Sequence, residues 1–422
     1  MSHVGILCPH SPGHLNPMVA LADAMRSRGH RVTFFLVTDK PPEAVLRAGF
    51  ESVPLGGTIF PEEEYAEAIR ELGALNGRAA LKHTIGIGVR ATSAILANGP
   101  AALRSAGVDA LVADQVSSPG GTVADELGMP FATVCNALML NRDPIAPPFF
   151  TLWRPRTGWF ARLRNNIAWS GLERMLTPIL DRVRDRRRQL GLSLPKRLAD
   201  TNSDRLQISQ QPEAFEFPRR ELPPQFRFVG PLRLPGGYPP VDFPWDRLDG
   251  RPLIYASFGT LQNRVAATFR LIAEACAGTD SQLVITTGNG VAPAELADLP
   301  GGPVVVSYAP QLDLLKRAAL AVTHAGLNTA LDSLSCGLPM VAVPVTNEQP
   351  GIAARIVWTG AGEAIPLKRL TARRLRAAII QVRDRPSYRA SAERVRESIR
   401  AGGGAPRAAE LIETALGLGA AR

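Results

Sequence analysis

Short apolar runs alternate along this chain with stretches in which apolar residues recur every third or fourth position, the pattern of strands feeding helices. It is clearest over residues 304–357, which read as strand, helix, strand, helix, strand, helix, with Gly, Pro or a small polar residue at the boundaries. At the centre, Thr323-His324-Ala325-Gly326-Leu327-Asn328-Thr329 lies where the apolar run 320–322 ends and a helix begins. A strand running into a Gly-containing turn that opens a helix gathers free backbone N–H groups and the positive helix end at one point, a setting for a phosphate or diphosphate. His324, Asn328 and Thr329 would add side-chain donors there.

The first half repeats the alternation. Residues 4–8 form an apolar strand, and the turn Pro9-His10-Ser11-Pro12-Gly13-His14-Leu15 follows. A helix is expected with Asn16 as N-cap and Pro17 at the first helical position, where a missing N–H costs nothing. Met18, Leu21, Ala22 and Met25 share one face of it, Gly29 ends it, and 31–37 is the next strand. Such a unit implies a parallel sheet with its ligand site beyond the strand C-termini. No GxGxxG fingerprint is present. The apolar strand 109–113 ends at Asp114, on the same sheet edge as the loop carrying His14; His10, nearer the strand, is a rival for any chemistry placed there. Residues 216–252, dense in Pro and Gly, read as a linker. A second βα series opens with the strand 253–257 running into Phe258-Gly259-Thr260, and closes with Arg/Ala-rich helices over 371–417. The expectation is an α/β protein with an N-terminal domain over 1–215, a linker over 216–252 and a C-terminal domain over 253–422, with the ligand in the cleft between.

Length and composition agree: 422 residues exceed one ordinary domain, and 45% hydrophobic with 20% charged residues describe a globular chain. A net charge of +10 favours anionic partners. The basic excess is spread along the chain, which argues against nucleic acid. Four scattered cysteines without a CxxC pair suit buried thiols in a reducing compartment. Without a signal-like start or an apolar run of membrane-spanning length, a cytoplasmic protein is expected. Residues 144–188 break the pattern, interleaving Phe149, Phe150, Trp153, Trp159, Phe160 and Trp169 with Arg154, Arg156, Arg162 and Arg164. Three readings stand: a helical wall of an apolar pocket, a surface seated on an anionic bilayer, or a stacking platform for single strands.

Tyr308-Ala309-Pro310-Gln311, the stretch from Thr323 to Asp332 and Glu348-Gln349 together resemble the nucleotide-sugar signature of the UDP-glycosyltransferase superfamily. Gly13-His14-Leu15-Asn16-Pro17 and Arg28-Gly29-His30-Arg31-Val32 are similar to its opening motif. Asn141-Arg142-Asp143-Pro144, Gln207-Ile208-Ser209-Gln210, Phe217-Pro218-Arg219, Val229-Gly230-Pro231-Leu232-Arg233, Gly259-Thr260-Leu261-Gln262 and Glu348-Gln349-Pro350 are similar to its bacterial carotenoid-glucosylating branch. The resemblance implies two Rossmann-like domains facing across a cleft, the GT-B arrangement. It also implies inverting transfer of a hexose, such as glucose from UDP-glucose, to a hydroxyl of an apolar acceptor of the zeaxanthin kind. His14 would be the general base and Asp114 its orienting partner. Tyr308 would stack on the uracil, the Ala309 backbone would pair with the base edge, and Gln311 would join the donor site. Asp332 would meet the ribose; Ser257, Thr260, His324, Gly326, Asn328 and Thr329 would hold the diphosphate. Glu348 and Gln349 would bind sugar hydroxyls, with no metal and no cofactor beyond the donor. A nucleotide-sugar epimerase or a non-catalytic nucleotide- or membrane-binding protein are the rival classes.

Overall fold

The computed structural model describes residues 1–75, 77–237, 240–259, 266–288 and 290–419. Thr260 and the rest of its loop through residue 265 lie outside these.

The first series of elements is β1 (His3–Leu7), α1 (Pro12–Ser27), β2 (Arg31–Leu36), α2 (Glu43–Arg47), β3 (Glu51–Pro54), α3 (Glu62–Ala74), α4 (Gly77–Ala106), β4 (Ala110–Asp114), α5 (Gly120–Leu127), β5 (Phe131–Cys135), α6 (Trp159–Gln189), β6 (Gln207–Ser209) and β7 (Phe226–Phe228). Its strands form one parallel sheet in the order β3-β2-β1-β4-β5-β6-β7. The second series is β8 (Leu253–Ser257), α7 (Ala266–Cys276), β9 (Gln282–Thr286), β10 (Val304–Val306), α8 (Gln311–Arg317), β11 (Ala318–Thr323), α9 (Leu327–Ser335), β12 (Met340–Ala342), α10 (Gln349–Thr359), β13 (Gly362–Ala364), α11 (Ala372–Asp384), α12 (Pro386–Gly402) and α13 (Gly404–Leu416). Its strands form a second parallel sheet, β10-β9-β8-β11-β12-β13. The central strands of both sheets are buried along their length, as continuous apolar runs flanked by helices require.

Three boundaries differ from the sequence expectation. The first helix begins at Pro12, not at Asn16–Pro17, so Pro17 sits inside it. Pro17 has no N–H for the carbonyl four residues back, which leaves the Gly13 oxygen free for another donor. The expected linker over 216–252 is shorter, because β7 within it completes the first sheet. The chain end does not stay with the second domain: Ala405, Ala408, Ala409, Ile412 and Leu416 of α13 join the core beneath the first sheet. His30 and Arg28 fix that return through Glu413, the His30 Nε2 to Glu413 Oε1 distance being 2.8 Å.

In each sheet the strand order reverses beside the first strand of its domain. In the first this point lies between β1 and β4, in the second between β8 and β11. A crevice opens at such switch points because the flanking loops leave in opposite directions. His14 in the first turn of α1, Asp114 and Ser257 at the ends of β4 and β8, and His324, Gly326, Asn328 and Thr329 around the start of α9 lie at these points, whereas Tyr308, Ala309 and Gln311 follow β10 and Glu348 and Gln349 follow β12.

Candidate active site

Asp114 ends β4 and is 1% exposed. Three donors converge on its carboxylate: His14 through Nδ1 at 2.8 Å and Asn136 through Nδ2 at 2.8 Å on Oδ2, and the Val116 N–H at 2.9 Å on Oδ1. A carboxylate held this way only accepts, so Nδ1 of His14 carries the hydrogen and Nε2 keeps its lone pair. Burial drives the His14 pKa down, but the charge and hydrogen bond of Asp114 and the carboxylate of Glu348 more than offset this and leave it raised. His10 plays no part in the pair; it packs on Tyr65 with ring centroids 4.3 Å apart.

Across the cleft, α9 starts at Leu327 behind Gly326, which as N-cap brings no side-chain cap. The first N–H groups of this helix are therefore presented to the cleft with the positive helix end behind them. The turn before it is held in an unusual shape, since Ala325 has φ +64°, a left-handed value uncommon outside glycine. Among the described residues Asn347, at φ +52° in the loop after β12, is the other non-glycine with a left-handed value. His324 lies between two glycines: a Cβ on Gly259 would come 2.8 Å from its ring, and one on Gly326 would come 2.5 Å from its Nε2. Burial pushes its pKa down to about 4, so near neutrality it is an uncharged ring. Its Nδ1 is buried without a hydrogen-bond partner among the described residues.

Asn328, on the first turn of α9, bonds to the opposite domain at both ends of its amide. Its Nδ2 donates to the Gly13 oxygen freed by Pro17 (3.0 Å), and its Oδ1 accepts from Gln210 Nε2 (3.1 Å). Gln210 also donates to the Asn136 carbonyl at 2.7 Å. The bonds close a ring: His14, Asp114, Asn136, Gln210, Asn328, Gly13 and back along the chain to His14. The starts of α1 and α9 thus face each other at hydrogen-bonding distance.

The remaining candidates are distributed as follows. Ser257 ends β8 close to His324 and is buried, as is Thr329. Tyr308, in the loop after β10, is 45% exposed and offers an open ring; Ala309 beside it packs on the second-domain core. Asp332 departs from expectation. It is 1% exposed, paired with Arg233 and bonded by Gln311 Nε2 at 2.6 Å, while Gln311 Oε1 accepts from the Tyr255 hydroxyl at 3.2 Å. One methylene shorter than glutamate, its carboxylate stays under the wall of the site with these partners. Glu348 takes the N-cap position of α10 without a side-chain cap bond, and Gln349 turns its Oε1 back to the Val345 and Thr346 N–H groups at 2.8 and 3.0 Å, bracing that loop.

Asn136, Gln210 and Arg233 were not assigned roles from the sequence, although Gln210 and Arg233 fall in quoted motifs. Asn136 follows directly on the apolar run of β5, a polar residue at the functional sheet edge, which is the one signal that marks it.

The family model for UDP-glucoronosyl and UDP-glucosyl transferases matches residues 198–398, and whole-length relatives extend the match. A zeaxanthin glucosyltransferase of Pseudescherichia vulneris is 32% identical over 424 residues, covering 99% of this chain and 98% of the relative. The chain belongs to this family. The enzyme is a glycosyltransferase with the GT-B arrangement. The 4'-demethylrebeccamycin synthase of Lentzea aerocolonigenes is also 32% identical, over 95% of this chain and 96% of its own. Among solved structures, the glycosyltransferase of kitacinnamycin superposes with a TM-score of 0.76 at 24% identity over 98% of this chain and 99% of its own. No helix among the described residues of the glycosyltransferase is long and apolar enough to cross a membrane.

Proposed function

We propose that this glycosyltransferase moves glucose from UDP-glucose to a hydroxyl of an apolar acceptor of the zeaxanthin type, with inversion and without a metal ion. In this reading Nε2 of His14 takes the acceptor's hydroxyl proton as the oxygen attacks the anomeric carbon from the side opposite the diphosphate. The carbon–oxygen bond to the diphosphate breaks, UDP leaves with the electron pair, and the α-linked donor yields a β-glycoside. Asp114 stabilises the imidazolium that forms. The N-terminal N–H groups of α9, with neutral His324 as a further donor, meet the charge growing on the leaving diphosphate. Tyr308 takes the uracil on its open ring, and Glu348 and Gln349 border the sugar.

The observation that carries the reading is the His14–Asp114 pair facing the uncapped start of α9 across a cleft narrow enough for Asn328 to bond Gly13. The acceptor class is supported by zeaxanthin glucosyltransferases aligned along 99% of the chain, two of them at 30% and 32% identity. The equal identity of the 4'-demethylrebeccamycin synthase favours a second reading, transfer to another lipid, a sterol-like molecule or a macrolide.

Product analysis decides between them. Purified enzyme with zeaxanthin and UDP-glucose in EDTA should give β-glucosides, and His14→Ala should abolish transfer with UDP affinity retained. Turnover confined to a sterol-like or macrolide acceptor would replace the carotenoid assignment, and activity restored only by Mg²⁺ would overturn the metal-free one.

A further inference from the structure

The first three turns of α6 reverse the usual distribution of polarity. Its inner side buries Asn165, fully enclosed, which donates to the Pro144 and Ile145 carbonyls at 3.1 and 2.9 Å. Trp169 on the same side donates Nε1 to the Ala146 carbonyl at 3.0 Å. The outer side carries Trp159 (76% exposed), Phe160 (67%), Leu163 and Ile167 (65%). At about 100° per residue these four fall within a sector roughly 100° wide, one continuous apolar stripe. An ordinary surface helix would place such residues inward, where roughly 1.5–3 kcal/mol each is gained on burial.

The stripe is bordered by one sign of charge. Residues 149–171 contain Arg154, Arg156, Arg162 and Arg164 and no Asp or Glu. None of the four is in an ion pair among the described residues, whereas Arg142 and Arg197 nearby are both paired with Glu173. Arg164 lies 4.2 Å over the Trp153 ring, and Arg154, Arg156 and Arg162 project into solvent. Large apolar residues on one helical face with unpaired cations around them match an interface where acyl chains lie below anionic headgroups. Nucleic acid would leave Leu163 and Ile167 without a partner, and a second copy of this chain would bring its own arginines against these.

We propose that the start of α6 and the loop before it seat the protein on an anionic lipid bilayer, with Trp159, Phe160, Leu163 and Ile167 entering the acyl boundary and Arg154, Arg156 and Arg162 meeting the headgroups. The same loop reaches the cleft: the Phe149 carbonyl lies against Gly351, where an added Cβ would be 2.3 Å away, in the first turn of the helix whose N-cap position Glu348 takes. An apolar acceptor dissolved in the bilayer is thereby brought beside the sugar site. The seating does not depend on which acceptor is used.

The test is flotation of the full chain with vesicles of phosphatidylcholine alone and of phosphatidylcholine with phosphatidylglycerol, with neither donor nor acceptor present. Strong binding is expected only to the anionic vesicles, falling as salt rises. W159S/L163S/I167S and R154Q/R156Q/R162Q should each lower it at least tenfold, with UDP affinity unchanged as the check on folding. Absence of binding to anionic vesicles, or binding that neither triple variant weakens, would overturn the proposal. So would a concentration-dependent dimer that the serine variant abolishes, since the stripe would then be covered by a second copy. Because no turnover is read, a wrong acceptor assignment cannot produce either result.

Discussion

In the proposed role His14 would act as a base only when neutral, so the pH at which it loses its proton would set the acid side of the rate profile. Asp114 and Glu348 together raise that pH above the ordinary histidine value against the pull of burial. kcat/KM should therefore rise with pH to a plateau, with a midpoint above 6.5. Asp114→Asn removes the charge, so its midpoint should move down while the plateau falls by about a thousandfold or more, the order expected when an orienting carboxylate is lost. Glu348→Gln should lower the midpoint by a smaller amount. Profiles of the three proteins on one acceptor check this; an unmoved midpoint in Asp114→Asn would remove His14 from the assignment. Asp114 was legible as the polar end of an apolar strand, whereas the strand pattern left His10 and His14 as rivals and only the family resemblance pointed to His14, which lies in the first turn of α1. Asp332 was readable as an acid on the donor helix, but its environment was not. Arg233 reaches it from the segment between the two sheets, and nothing local to the helix announces that partner.

The same limit holds for elements. The six elements over residues 304–357 follow the sequence pattern, because a parallel strand buried on both faces and an amphipathic helix have distinct periods. The start of α1 did not follow it. Pro12 and Pro17 are equally good start signals, and only tertiary structure decides between them: Pro17 is tolerated inside the helix because Asn328 satisfies the carbonyl it leaves free. The turn into α9 makes a sharper case. Gly326 has φ −66°, which any residue can adopt, so its lack of a side chain serves the His324 ring alone. Gly326→Ala should leave thermal stability near wild type while displacing that ring, and should weaken UDP binding by tenfold or more, about 1.4 kcal/mol. At Gly259, where φ is +74°, backbone strain would confound the same experiment. Calorimetric titration of UDP on Gly326→Ala is the measurement; unchanged affinity would detach His324 from the diphosphate.

At the scale of the whole molecule, the two domains were legible as separate α/β units, but what joins them was not. One junction is buried and ionic: Glu216 receives Arg355 Nε and Nη2 at 3.1 and 2.5 Å and Arg219 Nε at 3.1 Å, and Gln211 Nε2 completes its shell at 3.1 Å. Another is the hydrogen-bonded ring through Asn328, which links the start of α9 to the His14–Asp114 pair. Gln210 spans from Asn136, the second donor on Asp114, to Asn328. If the ring positions His14 against the donor, Gln210→Ala should lower kcat by about ten- to a hundredfold, roughly 1.4–2.7 kcal/mol, with UDP affinity unchanged. Asn328→Ala should lower kcat comparably, and the double variant should lose little more than either single one, because the first break already opens the ring. A purely structural role predicts losses that multiply and track a fall in thermal stability. A double-mutant cycle on kcat, with UDP titration and melting temperature taken on each protein, separates the two, and multiplying losses would assign Gln210 to packing alone.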